Sequence, residues 1–272
     1  MRAALLAVTT GLSLLCAPPL PAAGPSGVTV STSRGEFFLL VHAPSRAEGA
    51  APKDVGGLPL ILLVSGEGGW RSFDALLARW LTEAGYWVGG MDAMKYFWKA
   101  QDDRQALASD VRACADALAR AAGRDMGVPF LLAGFSFGAD LAPWIAGGGD
   151  WKGRIRGLVM IGPDETGSLE FRVSEILGLG AKDHVFRVAE ALRSASGIPV
   201  LFLHGEKDRS SAAPRLSSAA GEPKKLAVIP GADHHFSGRE DDLRKALLEG
   251  LAWIVTRSAP VPSSPAPAEA GP

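Results

Sequence analysis

The chain has 272 residues, of which 47% are hydrophobic, 21% charged and 7% aromatic. This balance is typical of a folded globular protein and excludes a chain that is mainly disordered or fibrous. The 28 basic and 29 acidic residues give a net charge of -1, so charge offers no reason to expect a nucleic-acid-binding protein. No apolar run beyond the first residues is long enough to span a membrane, which leaves one soluble domain as the simplest prediction.

The first 23 residues have the organisation of a secretory signal peptide. Arg2 supplies the positive start, and residues 3–15 form an apolar stretch that is too short to cross a bilayer as a helix. Small residues follow, and we expect cleavage near Ala23. Cys16 could indicate a lipoprotein anchor, but Leu15 stands where that processing site requires a small residue, so the anchor is the weaker interpretation. We therefore predict a periplasmic mature chain without a transmembrane helix.

The apolar segments of the middle of the chain predict alternating strands and helices. Residues 58–65 (LPLILLVS) form a continuous apolar run, which is typical of a strand buried on both faces of a parallel sheet. Residues 71–84 then place apolar side chains at helical spacing, and Gly85 ends the helix. An N-terminal hairpin is predicted at residues 28–32 and 37–42. The further predicted strands are 86–91, 129–133, 156–161, 198–203 and 225–229, and the further helices are 104–122, 136–146 and 241–255.

This order of elements predicts an α/β fold with a mostly parallel central sheet and helices on both faces. Residues 258–272 are rich in Pro, Ala and Ser and contain a single charge, Glu269, so we predict a disordered tail. The folded domain is expected to span residues 24–257. Residues 162–187 lie between two strands and are mixed in character, which is compatible with a small cap over a site.

Cysteine and histidine usage gives no sign of a disulfide, metal site or cofactor. Cys114 is the only cysteine left after signal cleavage, and it shares a helical face with apolar residues, which favours a core position over a nucleophile. The five histidines show no zinc-type spacing. Of these, His204 is expected to pack at a strand end, and His42 and His184 lie far from any motif.

Residues 134–138, Gly-Phe-Ser-Phe-Gly, form a G-x-S-x-G motif between a predicted strand and a predicted helix. That context is the one in which the motif acts as a nucleophile elbow, and it predicts the α/β-hydrolase fold with Ser136 as the nucleophile. The glycines are needed because the turn is strained and closely packed. The helix that follows places its N-terminus at the serine, where it favours developing negative charge.

A serine nucleophile needs a base and an acid that orients the base, and on this fold both follow the serine in the chain. Asp208 lies in the loop after the strand at 198–203, and His234 follows the last strand in the segment GADHHF. We therefore predict a triad of Ser136, His234 and Asp208. Asp164 is a second candidate for the acid, and His235 is the rival for the base.

The glycine-rich loop Ser-Gly-Glu-Gly-Gly-Trp at residues 65–70 is predicted to complete an oxyanion hole. One N–H donor is expected from Phe137, directly after the nucleophile, and the other from Glu67. Gly66, Gly68 and Trp70 are predicted to contact the substrate, because glycines let the backbone approach it closely. The loop lacks the G-K-[ST] ending of a phosphate-binding P-loop.

Five segments together give a more specific resemblance. SGEGGW, MDAMKYFWK, GFSFGAD, IGPDETGSLEF and GADHHF occur in this order and resemble the VirJ/AcvB family of exported bacterial α/β-hydrolases over residues 58–255. Two positions depart from the family pattern, since Glu67 replaces the usual Asp and Phe135 the usual Tyr. Neither change removes a triad group. The single-domain layout is closer to VirJ than to AcvB.

The resemblance implies a periplasmic serine hydrolase that cleaves the aminoacyl ester of lysyl- or alanyl-phosphatidylglycerol. A carboxylate near the serine would suit the cationic amine of that substrate, with Glu67 as the first candidate, Asp164 as the second and Asp140 as the third. The implied partner is an aminoacylated phospholipid at the membrane surface. The alternatives are a general carboxylesterase or lipase, and a non-catalytic periplasmic partner of a secretion or virulence system. The aromatic residues at 96–98 either contact lipid or line the pocket, or they belong to the core.

Overall fold

The computed structural model describes residues 26–45, 57–170 and 184–258. The predicted signal peptide, nearly all of the predicted tail and the middle of residues 162–187 lie outside these ranges. The strands are β1 (Ser26–Thr32), β2 (Gly35–His42), β3 (Leu60–Val64), β4 (Val88–Met91), β5 (Phe130–Phe135), β6 (Ile155–Ile161), β7 (Thr166–Ser168), β8 (Val185–Arg187), β9 (Val200–Gly205) and β10 (Lys224–Ile229). The helices are α1 (Ser72–Glu83), α2 (Ala93–Tyr96), α3 (Arg104–Ala121), α4 (Phe137–Ala146), α5 (Val188–Ser194), α6 (Ala213–Ala219) and α7 (Glu240–Ser258).

Eight strands form one sheet in the order β1-β2-β4-β3-β5-β6-β9-β10. Six strands of this sheet pair in parallel: β4, β3, β5, β6, β9 and β10. The hairpin of β1 and β2 joins β4 in antiparallel pairing and forms one edge. The mostly parallel sheet predicted from the sequence is thereby confirmed. Because the parallel strands run in the same direction, their carboxyl ends meet at one edge of the sheet, where binding sites of α/β folds lie.

Alternate side chains of the central strands enter two separate hydrophobic clusters. On β3, Leu60 and Leu62 pack with α3 and α4 on one face, whereas Ile61 and Leu63 pack with α1 and α7 on the other. All five side chains of this strand are buried. This explains the unbroken apolar run, since a strand covered on both faces needs apolar residues at every position.

Cys114 lies at the centre of the α3 face, where it is fully buried. Burial first, and the neighbouring Asp110 second, raise the pKa of its thiol to about 12. The predicted core position is therefore confirmed. No helix in the described part of the chain combines the length and the apolarity that a membrane crossing requires.

Several short elements were not predicted from the sequence. They include α2, α5 and α6, and the two strands β7 and β8, which pair as a small antiparallel sheet inside the predicted cap region. The N–H of Leu169 donates to the carbonyl of His184, which closes the base of this small sheet. Elements of three to seven residues carry too little periodicity to be recognised.

Candidate active site

Ser136 occupies a sharp turn between β5 and α4. Its backbone φ of 50° and ψ of -117° lie outside the regions that non-glycine residues normally adopt, as expected of a strained nucleophile elbow. The sequence predicted a helix that includes Ser136, but α4 begins at Phe137, because a helical φ is incompatible with this turn. The Ser136 N–H donates to the carbonyl of Ile161, 2.8 Å away, which fixes the turn against the end of β6.

The two glycines of the motif are required by packing. A Cβ on Gly134 would lie 2.1 Å from the backbone of Gly138, and a Cβ on Gly138 would lie 2.2 Å from the carbonyl oxygen of Val64. Both distances are far below van der Waals contact. The strand, the turn and the helix can therefore approach this closely only without side chains at these positions.

Asp208 and His234 meet at the same edge of the sheet. Nδ1 of His234 lies 2.7 Å from Oδ2 of Asp208, and the Asp208 side chain is only 1% exposed. The other oxygen, Oδ1, accepts hydrogen bonds from the hydroxyl of Ser210 at 2.6 Å and from the N–H groups of Ser210 and Ser211 at 3.0 and 3.1 Å. The carboxylate is thus held in one orientation while it contacts the imidazole.

These contacts also set the protonation state of Asp208. Burial on its own raises the pKa of the carboxyl, but the hydrogen bonds from Ser210, His234 and Ser211 outweigh burial and leave the pKa below its ordinary value. Asp208 is therefore a carboxylate at neutral pH. The contribution of Ser210 was not predicted from the sequence, because a serine two residues after an acid has no distinctive pattern.

One ring contact and the close approach of the imidazole to Gly162 place His234 beside the elbow. Its ring centroid lies 5.1 Å from that of Phe135, the residue before Ser136, and its Cε1 would lie 3.2 Å from a Cβ built on Gly162. Gly162 directly follows Ile161, whose carbonyl binds the Ser136 N–H. The structure thus pairs the predicted base with the predicted acid and places His234 beside the neighbours of Ser136, at the ends of β5, β6, β9 and β10. The catalytic triad itself stays a prediction.

The described hydrogen bonds of the rival triad residues go to other partners. The backbone N–H of Asp164 donates to Oδ1 of Asp140 at 2.8 Å, and its exposed side chain accepts from the N–H of Glu165. His235 is exposed, its N–H donates to Asp233, and its ring packs edge to face against Phe135. The imidazole that contacts Asp208 is that of His234.

The glycine-rich loop is held in place by a buried carboxylate. Oδ1 of Asp74, on α1, accepts the N–H of Gly66 at 3.3 Å, and Oδ2 accepts the N–H of Arg71 at 2.9 Å. The hydroxyl of Ser65 accepts the N–H of Ala93, which joins the start of the loop to α2. Asp74 and Ser65 are buried. Their role was not predicted from the sequence, because it depends on contacts between separate elements.

The loop leaves its middle exposed beside the elbow. Glu67 and Gly68 are exposed, and within the described ranges the N–H groups of Glu67 and Phe137 donate to no acceptor. The described contacts of Trp70 are packing contacts, since its indole stacks on His42 and would clash with a Cβ on Gly90.

The aromatic segment after β4 has two buried members and one exposed member. Tyr96 is 3% exposed and its hydroxyl donates to Oδ2 of Asp110, and Phe97 is 1% exposed and packs edge to face on Phe137, with 5.6 Å between ring centroids. These two belong to the core, so the interpretation as lipid contacts is wrong for them. Trp98 is 56% exposed.

The remaining histidines have other surroundings. His204, at the end of β9, is buried, and its pKa is lowered by burial more than the nearby Asp208 raises it. His184 pairs with Asp102 at 2.7 Å at the base of the small sheet. No group of three or more His, Cys, Asp or Glu residues in the described ranges is arranged to hold a metal ion.

Proteins of known structure share this fold. The esterase domain of a Rhodothermus marinus protein is 19% identical, with a TM-score of 0.58 and coverage of 86% of this chain and 98% of the other. A dienelactone hydrolase from Anabaena variabilis is 18% identical, with a TM-score of 0.60 and coverage of 85% of this chain and 97% of the other. An α/β serine hydrolase without a lid from Xanthomonas campestris is 20% identical, with a TM-score of 0.54 and coverage of 91% of this chain and 100% of the other. At such identities the likeness establishes the fold, which is the predicted α/β-hydrolase fold.

A comparison with curated protein sequences gave no match. The profile of a family described as bacterial virulence protein (VirJ) matches residues 59–254, which is well over half of the chain. This span contains Ser136, Asp208, His234 and the glycine-rich loop, so the family match and the site geometry concern the same residues. The chain therefore belongs to the VirJ family of bacterial virulence proteins.

Proposed function

We propose that this protein is a serine hydrolase that cleaves the aminoacyl ester of an aminoacyl-phosphatidylglycerol outside the cytoplasm. The observation that carries the proposal is the 2.7 Å contact between Asp208 and His234 beside a serine at φ 50°. A strained serine turn, a histidine and a buried carboxylate at one sheet edge form the arrangement that activates a hydroxyl for attack on an ester. A protein that used this fold only for binding would not need all three.

In the first step the Oγ of Ser136 attacks the ester carbonyl carbon while His234 takes the hydroxyl proton. Asp208 accepts from Nδ1 of His234, which keeps Nε2 free as the base and stabilises the imidazolium that forms. The tetrahedral intermediate then collapses. The carbon–oxygen bond to phosphatidylglycerol breaks, and the imidazolium returns the proton to the glycerol oxygen.

In the second step water attacks the aminoacyl ester on Ser136, with His234 again as the base. The free amino acid leaves, and the proton returns to Oγ. In both steps negative charge develops on the carbonyl oxygen, and the N–H groups of Phe137 and Glu67 are the proposed donors to it. The N-terminus of α4 lies at the same point and adds a favourable partial positive charge.

The choice of substrate rests on the family resemblance and on one feature of the site. An aminoacyl ester carries a cationic amine one carbon from the reacting carbonyl, so a carboxylate beside the oxyanion loop would favour it. The side chain of Glu67 is exposed at that loop, and Asp164 is exposed near the end of β6. Asp140 is buried and binds the backbone of Asp164, which makes it a less suitable partner for a substrate amine.

The deciding experiment compares the mature chain with its Ser136→Ala variant. Each is incubated with vesicles that contain lysyl- or alanyl-phosphatidylglycerol, and released amino acid and lipid are followed by mass spectrometry. We expect release by the unaltered protein only. Cleavage of a simple ester without release from either lipid would support a general carboxylesterase. Absence of cleavage of every ester tested would support the non-catalytic role in a secretion or virulence system.

A further inference from the structure

The segment that follows β4 presents one large aromatic side chain at the surface beside the site. Tyr96 and Phe97 are almost fully buried, whereas the next residue, Trp98, is 56% exposed. Single exposed apolar residues are common on protein surfaces, so exposure alone indicates nothing. Three further observations distinguish Trp98. The backbone around it is anchored, exposed cationic residues lie near it in the fold, and its segment packs against the candidate site.

The backbone on either side of Trp98 is fixed by contacts to other elements. The guanidinium of Arg34 donates to the carbonyls of Lys99 and Ala100 at 2.8 and 2.7 Å. The N–H of Gln101 donates to the carbonyl of Leu169 at 2.9 Å. The indole is therefore carried by an anchored segment.

The buried side of the segment is anchored as firmly. Oδ2 of Asp110 accepts from the hydroxyls of Tyr96 and Ser33 at 2.5 and 2.6 Å, and Asp110 is buried. The ring of Phe97 packs on Phe137, at 5.6 Å between centroids. Because the Phe137 N–H is a proposed oxyanion donor, the segment that carries Trp98 is packed directly against the site.

Three exposed cationic side chains belong to the segment that carries the indole or bind its backbone. Lys95 is 67% exposed, and Lys99 and Arg34 are also exposed. Three acids lie close in sequence: Asp92 is buried and offsets part of the charge of Lys95 from 3.5 Å, Asp102 pairs with His184, and Asp103 caps α3. An amphipathic indole flanked by cations is the combination that favours the headgroup layer of a membrane with anionic lipids.

We propose that Trp98, with Lys95, Lys99 and Arg34, forms a docking surface for an anionic phospholipid bilayer. We call these four residues the docking patch. The proposal rests on the function proposed above, because a lipid substrate must be reached from the membrane surface. The indole enters the headgroup layer, the cations face lipid phosphates, and the packing of Phe97 on Phe137 keeps the elbow close to that layer.

The experiment measures binding of the Ser136→Ala chain to vesicles by sedimentation, so that turnover plays no part. Vesicles of plain phosphatidylglycerol are compared with vesicles of phosphatidylcholine, neither of which carries an aminoacyl group. We expect binding to the anionic vesicles that weakens with salt. Adding Trp98→Ala should weaken it roughly tenfold, the factor expected when one aromatic side chain loses its burial. Trp98→Phe should restore much of the loss, and Lys99→Gln should weaken binding by about fivefold at low salt.

Phe38→Ala provides the matched control. Phe38 is 51% exposed and lies on the opposite face of β2 from Phe37, whose ring contacts Tyr96. Its loss should leave vesicle binding unchanged. Equal binding by Trp98→Ala and the parent chain, or an equal loss in Phe38→Ala, overturns the docking proposal. Because the lipids in this assay are not substrates, the result is independent of whether the proposed hydrolysis is correct.

Discussion

The carboxylate of Asp74 accepts a hydrogen bond from the backbone N–H of Gly66, the residue before the proposed oxyanion donor Glu67. Its second oxygen binds the N–H of Arg71 at the other end of the loop. Burial raises the pKa of Asp74, against the lowering effect of its backbone hydrogen bonds and with a further raising effect from Asp92. The buried carboxylate of Asp74 therefore binds the backbone at both ends of the glycine-rich loop, at Gly66 and at Arg71.

We predict that Asp74→Ala lowers kcat on a short soluble ester by roughly 10–100-fold, because a displaced oxyanion donor impairs the transition state more than substrate binding. KM should change little. Asp74→Asn keeps one acceptor oxygen and should recover part of the loss. Steady-state kinetics of the three proteins tests this. A rise in KM at constant kcat would contradict a role in positioning the donor.

Asp208→Asn should lower kcat by about 10³–10⁴-fold, because an amide that donates to Nδ1 leaves His234 in the wrong tautomer. Circular dichroism should remain that of the native fold, since the replacement is isosteric. A loss of less than tenfold would favour another acid, such as Asp164.

Asp208 should also make stability depend on pH. A carboxyl whose pKa is lower in the folded than in the unfolded state stabilises the fold above its ordinary pKa of about 4, and this contribution disappears as the pH falls through the lower folded value. The difference in unfolding free energy between the unaltered chain and Asp208→Asn should therefore be larger at pH 6 than at pH 3. Denaturant unfolding at the two pH values measures it. A difference that is constant or grows on acidification would contradict the lowered pKa.

Glu67→Gln should lower kcat/KM for an aminoacyl lipid more than for a neutral short ester. The replacement keeps the backbone N–H and the shape of the side chain but removes its charge, so only the attraction to the substrate amine is lost. Asp164→Asn is the matched comparison at the second exposed carboxylate. Equal losses on both substrates would remove Glu67 as the amine partner.

Tyr96→Phe should destabilise the fold by about 1–3 kcal/mol, since it removes a hydrogen bond to the buried Asp110. Activity per folded molecule should be nearly unchanged. Tyr86→Phe serves as the control, because the hydroxyl of this buried tyrosine binds no described residue. Denaturant unfolding and a soluble-ester assay separate the two effects. A large fall in activity with unchanged stability would assign Tyr96 to the site.

The elements that the sequence predicted well are those that pack a continuous apolar face against the core. The apolar run of β3 and the helical spacing of α1 and α3 follow from burial against defined faces, and their bounds were predicted to within about two residues. The strained turn at Ser136 and the contact between Asp208 and His234 were predictable because the G-x-S-x-G motif specifies the turn and the fold specifies the order of the partners.

What could not be predicted depends on contacts between distant parts of the chain. Asp74 and Asp110 look like ordinary surface acids of amphipathic helices, yet both are buried and bind groups on other elements. The sequence does not distinguish the three consecutive aromatic residues Tyr96, Phe97 and Trp98. Only the packing of the fold decides which of them is exposed. A sequence pattern gives the face of a helix, but it does not give the partner on the other side.

The buried thiol of Cys114 can be used to measure the opening of the fold. No other cysteine follows Cys16, and the Cys114 thiol lies fully inside the cluster between the sheet and α3. In a chain that begins after the predicted cleavage site, and so lacks Cys16, a thiol reagent therefore reacts only through molecules in which α3 has separated from the sheet. Its rate of labelling measures the free energy of that opening without an introduced probe, and every variant described above carries the same internal standard.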